Sequence, residues 1–219
     1  MSSEKKTKVG LALIAVTMMA VGVLTYRSVQ TPPPKPKPPV TQAATLLPEL
    51  RPLAPFSLLD QQGNRYDNQR LLGHWTLLSF GYTNCPDICP TTLAMLAQMK
   101  QQLQQNGIQA PLEIGFVTVD PQRDTPQRLA DYVAYFDADF LGISGTAAGI
   151  GQLTTPLGIL SRKVVTEGSA MDYVMDHSAS LVLLDPQGRY YALFSPPHDA
   201  TIMARDILAI SQNVEVETK

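Results

Sequence analysis

An apolar run, Trp75-Thr76-Leu77-Leu78-Ser79-Phe80, leads into Tyr82-Thr83-Asn84-Cys85-Pro86-Asp87-Ile88-Cys89-Pro90, and no other stretch constrains the fold as much. A short, nearly continuous apolar run is what a strand buried on both faces requires. Pro90 suits the first position of a helix, where a missing N–H costs nothing. Leu93, Leu96, Met99 and Leu103 then recur at spacings of three, three and four, one face of a helix. Gly107 is a natural stop. Cys85 and Cys89 are the only two cysteines in the chain. Cysteines that serve as inert core hydrophobes scatter through a sequence. Two on one turn, each followed by proline, place sulfurs for redox or metal chemistry.

The pattern continues as α/β. Leu112 to Val119 reads as a second strand. Asp124 or Thr125 caps a helix opened by Pro126 and running through Leu129, Tyr132, Val133 and Phe136. Leu157 to Val165 is a weaker strand. Ser180 to Leu184 and Arg189 to Phe194 flank Asp185-Pro186-Gln187-Gly188, whose turn chemistry predicts a hairpin. A last helix runs from about Asp199 to Ser211. Strand, cysteine turn, helix, strand, helix, hairpin and helix is the layout of a thioredoxin-like fold.

In that layout the cysteine turn leaves the carboxyl end of a strand, where α/β sheets bind their ligands. Unpaired amides and the positive end of the helix favour a thiolate there. Cys89, within the helix start, is expected to have the lowered pKa. Three residues between the cysteines, rather than two, also space the sulfurs to grip one ion. Such a site wants a third ligand. Of three histidines, His74 reads as an edge residue and His198 as an exposed loop residue. His177 enters the hairpin expected beside the cysteine-bearing strand. Many such folds have a cis-proline here, yet no proline falls between Met171 and Asp185. Two thiolates and an imidazole suit copper, particularly Cu(I), or zinc.

Toward the N-terminus, Lys5, Lys6 and Lys8 precede 17 uncharged residues, Val9 to Thr25. This is the short end of the spanning range, in which about 20 apolar residues cross a core of roughly 30 Å. With no small-residue cleavage site, the segment reads as an uncleaved transmembrane anchor rather than a signal peptide. Residues 1–8 then stay cytoplasmic and everything after Arg27 faces the other side. Residues 26–47 form a proline-rich linker, Thr31-Pro32-Pro33-Pro34-Lys35-Pro36-Lys37-Pro38-Pro39 at its centre, extended and semi-rigid. Residues 48–219 make one domain. Six of the 17 basic residues but one of the 19 acidic residues precede Pro48, leaving that domain 11 against 18, a net −7. This balance argues against nucleic acid as a partner, since phosphate neutralisation drives such binding.

The cysteine turn, together with Val119-Asp120-Pro121-Gln122-Arg123-Asp124-Thr125-Pro126 and Asp176-His177-Ser178, resembles the successive motifs of the Sco/SenC proteins. The resemblance covers nearly all of Pro48 to Ser211. It implies a thioredoxin-like domain that binds one copper ion per chain, as Cu(I) or Cu(II), through Cys85, Cys89 and His177. It also implies a copper metallochaperone for the copper centre of a respiratory cytochrome c oxidase, and the expected anchor fits this, placing the chain at the bacterial inner membrane with the domain facing the periplasm or outer side. The expected partners are the oxidase subunit that holds that centre and a copper donor protein. A thiol–disulfide oxidoreductase that keeps the oxidase cysteines reduced is the alternative, and a peroxidase-like enzyme on the same fold is the weakest reading. Three carboxylates could support the site: Asp87 between the cysteines, Asp120 at a strand end, and Asp176, which could orient His177. Met171 and Met175 are soft potential ligands, and Met95 and Met99 read as core.

Overall fold

The computed structural model describes residues 15–24, 26, 38–107, 111–165 and 173–217. They belong to two compact units, Met1–Pro38 and Pro39–Lys219. In the first, residues 15–24 and 26 lie in a helix, α1, all of whose described residues are exposed. Among the described residues, no helix is long and apolar enough to cross a membrane. The expected linker core, 27–37, and residues 9–14 of the expected anchor lie outside the described residues.

The second unit is built on its most apolar strand. That strand, β4 (Trp75–Gly81), is buried along its whole length. It pairs in parallel with β5 (Leu112–Thr118), from Trp75 opposite Leu112 to Gly81 opposite Thr118. On its other side runs β9 (Leu181–Leu184), antiparallel, with Thr76 opposite Leu184. β9 turns through Asp185 into β10 (Arg189–Phe194). The Asp185 carboxylate, fully buried, accepts from the Gln187 and Arg189 amides and from the Arg189 guanidinium. Gly188 supplies the positive φ of 70° that this turn needs. The sheet grows to eight strands with β1 (Ala44–Pro52), β2 (Ser57–Asp60), β3 (Arg65–Asp67) and β6 (Leu141–Ser144), in the order β1-β10-β9-β4-β5-β6-β2-β3. A separate two-stranded ribbon pairs β7 (Ser161–Val165) with β8 (Tyr173–His177).

Four helices accompany the sheet: α2 (Ile88–Gln105), α3 (Pro126–Phe136), α4 (Ala147–Thr154) and α5 (Ala200–Glu217). Leu93, Leu96, Met99 and Leu103 of α2 are all buried, as their spacing predicts. Cys89 is buried with them, 4% exposed, so the core face of the helix begins one turn earlier than those four residues indicate. The helix starts at Ile88, and Pro90 is its third residue rather than its first. The first four N–H groups of a helix lack intrahelical partners, so proline is accommodated throughout that turn. Thr125 caps α3 by accepting from the Arg128 amide. Asp199 does the same for α5, accepting from Thr201 and Ile202.

The domain also reaches further toward the N-terminus than residue 48. β1 begins at Ala44 and pairs with β10, Ala44 opposite Phe194. Asp206 of α5, 1% exposed, secures this start. Its carboxylate accepts from the amides of Gln42 at 3.0 Å, Ala43 at 2.7 Å and Ala44 at 2.8 Å. Residues 42–47, assigned by composition to the linker, are thus part of the folded unit.

Candidate metal centre

Three elements converge at the carboxyl end of β4. The turn after β4 carries Cys85, the first turn of α2 carries Cys89, and the end of β8 carries His177. The two sulfurs and one imidazole nitrogen all lie within 4.8 Å of one another. Both cysteines are free thiols. His177 Nε2 stands 3.4 Å from Cys89 Sγ. Its Nδ1 lies 3.1 Å from the Ser178 carbonyl, which makes Nδ1 the protonated nitrogen and turns Nε2 toward the sulfurs. The Tyr82 ring meets the imidazole edge-on, centroids 6.0 Å apart.

The two sulfurs differ in environment, in the opposite sense to the sequence expectation. Asp87 is the N-cap of α2, yet its side chain makes no capping bond. Cys85 Sγ takes that place, accepting from the Cys89 amide at 3.4 Å. The thiol of Cys89, the amides of Asp87 and Cys89, and His177 together outweigh partial burial and bring the Cys85 thiol down to about 4. The Cys89 thiol is pushed well above its usual range, because it donates to Cys85 and is buried. The reason is directional. A side chain inside a helix lies against its flank and cannot receive its own helix's end amides, whereas a residue just before the cap can. Cys85 is therefore the thiolate and Cys89 the thiol that supports it. Burial lowers the His177 pKa, but the Cys85 thiolate and the Ser178 carbonyl more than offset this and raise it.

A polar frame fixes the turn and the ribbon. Asp124, 1% exposed, accepts from the Thr83 amide at 3.1 Å and from the hydroxyls of Thr83 and Thr118, each at 2.6 Å. It ties the cysteine turn to β5. Asp120, 3% exposed, accepts from Arg123 Nε and from the Tyr173 hydroxyl at 2.8 Å. Arg123 also donates to the Tyr173 carbonyl at 3.0 Å, so both groups hold the start of β8 in place. Tyr173 is covered on its ring by Arg123 and Lys163, each 3.6 Å from the centroid.

Of the three supporting carboxylates expected from sequence, Asp120 alone is buried among site elements. Asp87 is exposed, and its amide rather than its carboxylate acts on Cys85. Asp176 is exposed and pairs with Arg162 at 3.1 Å. The His177 ring is oriented by Ser178, with Asp176 acting on it through charge alone. Asp124 is the supporting residue that sequence reasoning assigned only to a helix cap. His198 is half-buried, its Nε2 2.8 Å from the Ala179 carbonyl, and His74 faces Glu113 at 3.6 Å. Neither joins the cluster. Met99 is fully buried, Met95 and Met175 are partly buried against the core, and Met171 lies outside the described residues. An open groove of about 570 Å³, lined by Leu160, Arg162, Asp176, His177 and neighbouring serines, opens beside the imidazole.

A mixed sheet with a dithiol and an imidazole gathered at the carboxyl end of its central strand defines a thioredoxin-like domain with a soft, three-donor site. The chain belongs to the SCO1/SenC family, whose model matches residues 47–212. A SCO2-like protein of Rickettsia prowazekii is 36% identical over 160 residues, covering 73% of this chain and 75% of that protein. The crystal structure of Arabidopsis thaliana ScoI with copper bound is 30% identical, with a TM-score of 0.68, covering 76% of this chain and 99% of that one. Bradyrhizobium japonicum ScoI with copper bound is 34% identical, with a TM-score of 0.63, covering 72% and 98%.

Proposed function

We propose that this chain binds one copper ion through Cys85, Cys89 and His177 and serves the assembly of the copper centre of a respiratory cytochrome c oxidase. The observation that carries the reading is the approach of two sulfurs and Nε2 to within 4.8 Å. Soft thiolates with an imidazole match Cu(I), and relatives sharing about a third of the sequence have been seen with copper bound. The ion is cargo. Cys85 is already deprotonated, Cys89 has only to release its proton, and the groove beside His177 gives a partner access. That partner would be the oxidase subunit that receives copper, with a separate protein as copper donor.

The N-terminal segment supports a membrane anchor. Every described residue of α1 is exposed, Val16, Met18, Met19 and Leu24 among them, and apolar surface of this extent needs a lipid or protein cover. With the lysines cytoplasmic, the domain would face the periplasm from a bacterial inner membrane. Thiol–disulfide exchange is the second reading, favoured by a half-buried Cys85 thiolate beside a second thiol.

The test is metal analysis of the full-length chain in detergent, reduced and loaded with Cu(I). One copper per chain is expected for the wild type, and none once the cysteines are oxidised. His177→Ala should lose copper to a competing chelator while its thiols still exchange with glutathione. Wild-type retention by that variant would remove His177 from the ligand set and favour the exchanger.

A further inference from the structure

Gly81 ends β4 and is fully enclosed. Its φ is not among the positive values, so no backbone conformation demands glycine there. Space does. A β-carbon built on Gly81 would lie 2.6 Å from Cys89 Sγ, closer than real β-carbons come to any heavy atom, and 2.8 Å from Cε2 of Phe116. The Cys89 sulfur therefore occupies the volume that any other residue's β-carbon would fill. Phe116 has little room to retreat, because its ring is backed by Tyr132 at 5.5 Å, and Tyr132 by Phe136 at 5.4 Å. The cavity beside Cys89, between Ile88, Thr92, Leu93 and Phe116, is about 10 Å³, at most one water. The packed rings and the small cavity leave a displaced sulfur little room on the core side of the notch.

We propose that Gly81 is a positioning residue whose missing β-carbon forms a parking notch for the Cys89 sulfur, holding the two sulfurs at metal-gripping separation and favouring the dithiol over the disulfide. The proposal rests on the copper-binding reading and specifies how the site stays in the state that can bind. A disulfide needs its sulfurs about 2.05 Å apart. Both cysteines are free thiols here, and any movement of Cys89 Sγ out of the notch to meet Cys85 gives up its place against Gly81. Filling the notch removes the resting place of the reduced state and pushes the sulfur along the path to the disulfide.

The redox reaction can be followed with glutathione disulfide as oxidant. The Cys85 thiolate and the Cys89 thiol together lose two electrons and one proton, one Cys85–Cys89 bond forms, the glutathione S–S bond breaks, and two glutathione thiols leave, the second taking its proton from water. In the metal-free full-length chain, Gly81→Ala should shift this equilibrium at least threefold toward the disulfide. A smaller shift, or one toward the dithiol, overturns the proposal. The readout needs no copper, so it stands apart from the copper analysis above: a wild type that binds no copper would defeat that reading and leave this equilibrium measurable. If Gly81→Ala does not fold, the double variant Gly81→Ala/Cys89→Ala decides. Rescue of folding by removing the sulfur supports the notch. Failure to rescue assigns the clash to Phe116 alone and overturns the proposal.

Discussion

Asp206→Ala tests where the domain begins. The carboxylate of Asp206 accepts from the amides of Gln42, Ala43 and Ala44. A hydrogen bond to a charged group contributes about 1.5–3 kcal/mol, so three of them set an upper bound of about 5–9 kcal/mol. The real cost is smaller. The Gln42 and Ala43 amides are part-buried and can turn to water, whereas the Ala44 amide is buried and cannot. One orphaned buried amide costs about 1–3 kcal/mol. With a partial loss at the other two, the expected destabilisation is about 2–4 kcal/mol. For a unit the size of Pro39–Lys219, each kcal/mol lowers Tm by about 2–4 °C. Asp206→Asn keeps one acceptor oxygen but turns an NH₂ toward the amides, and should fall between wild type and Ala. The assay is urea unfolding of the full-length chain in detergent, with hydrogen exchange read at residues 42–44. A loss under about 0.5 kcal/mol, with those amides still protected, would refute the assignment of Asp206 as the latch of β1.

Cys85 should react with iodoacetamide at a nearly constant rate from pH 8 down to about pH 5, because its thiolate persists until the pH approaches the lowered pKa of about 4. Cys89 should stay unmodified across that range. A Cys85 rate falling with a midpoint near 8 or 9, followed by mass spectrometry, would show an ordinary thiol. The full-length chain should remain with membranes through carbonate washing, and a mature N-terminus beyond Thr25 in a soluble fraction would establish a cleaved signal instead.

Local periodicity carried much of the fold. The run Trp75 to Phe80, the four core positions of α2 and the β9–β10 hairpin all depend on neighbours within a few residues, and a single sequence displays them. The weaker strand expected in Leu157 to Val165 is present as β7, Ser161–Val165, but β1, β8 and the pairing that makes the ribbon do not announce themselves. Val164 and Val174 face each other across the ribbon through tertiary pairing alone. Asp206 and Asp124 escaped for the same reason, their partners being up to 164 and 41 residues away. The three donors of the site were legible because cysteine and histidine are sparse here and chemically distinctive. Their protonation was not, because it depends on which sulfur caps the helix. The burial of Cys89 did have a signal: the interval from 89 to 93 extends the helical spacing of the core face by one step.

The third donor is mounted differently from the other two. Cys85 and Cys89 flank the start of α2, directly after the fully buried β4. His177 ends a ribbon of two strands, an element of marginal stability in water by itself. It is fastened by Tyr173 at one end and by the Ser178 amide donating to the Leu160 carbonyl at the other. Elements of this kind open locally at far less cost than global unfolding. A copper ion held by all three groups would thus have one donor on an arm that opens cheaply and two on a fixed base, so opening of the ribbon would expose the ion to an incoming ligand while the sulfurs stayed in place.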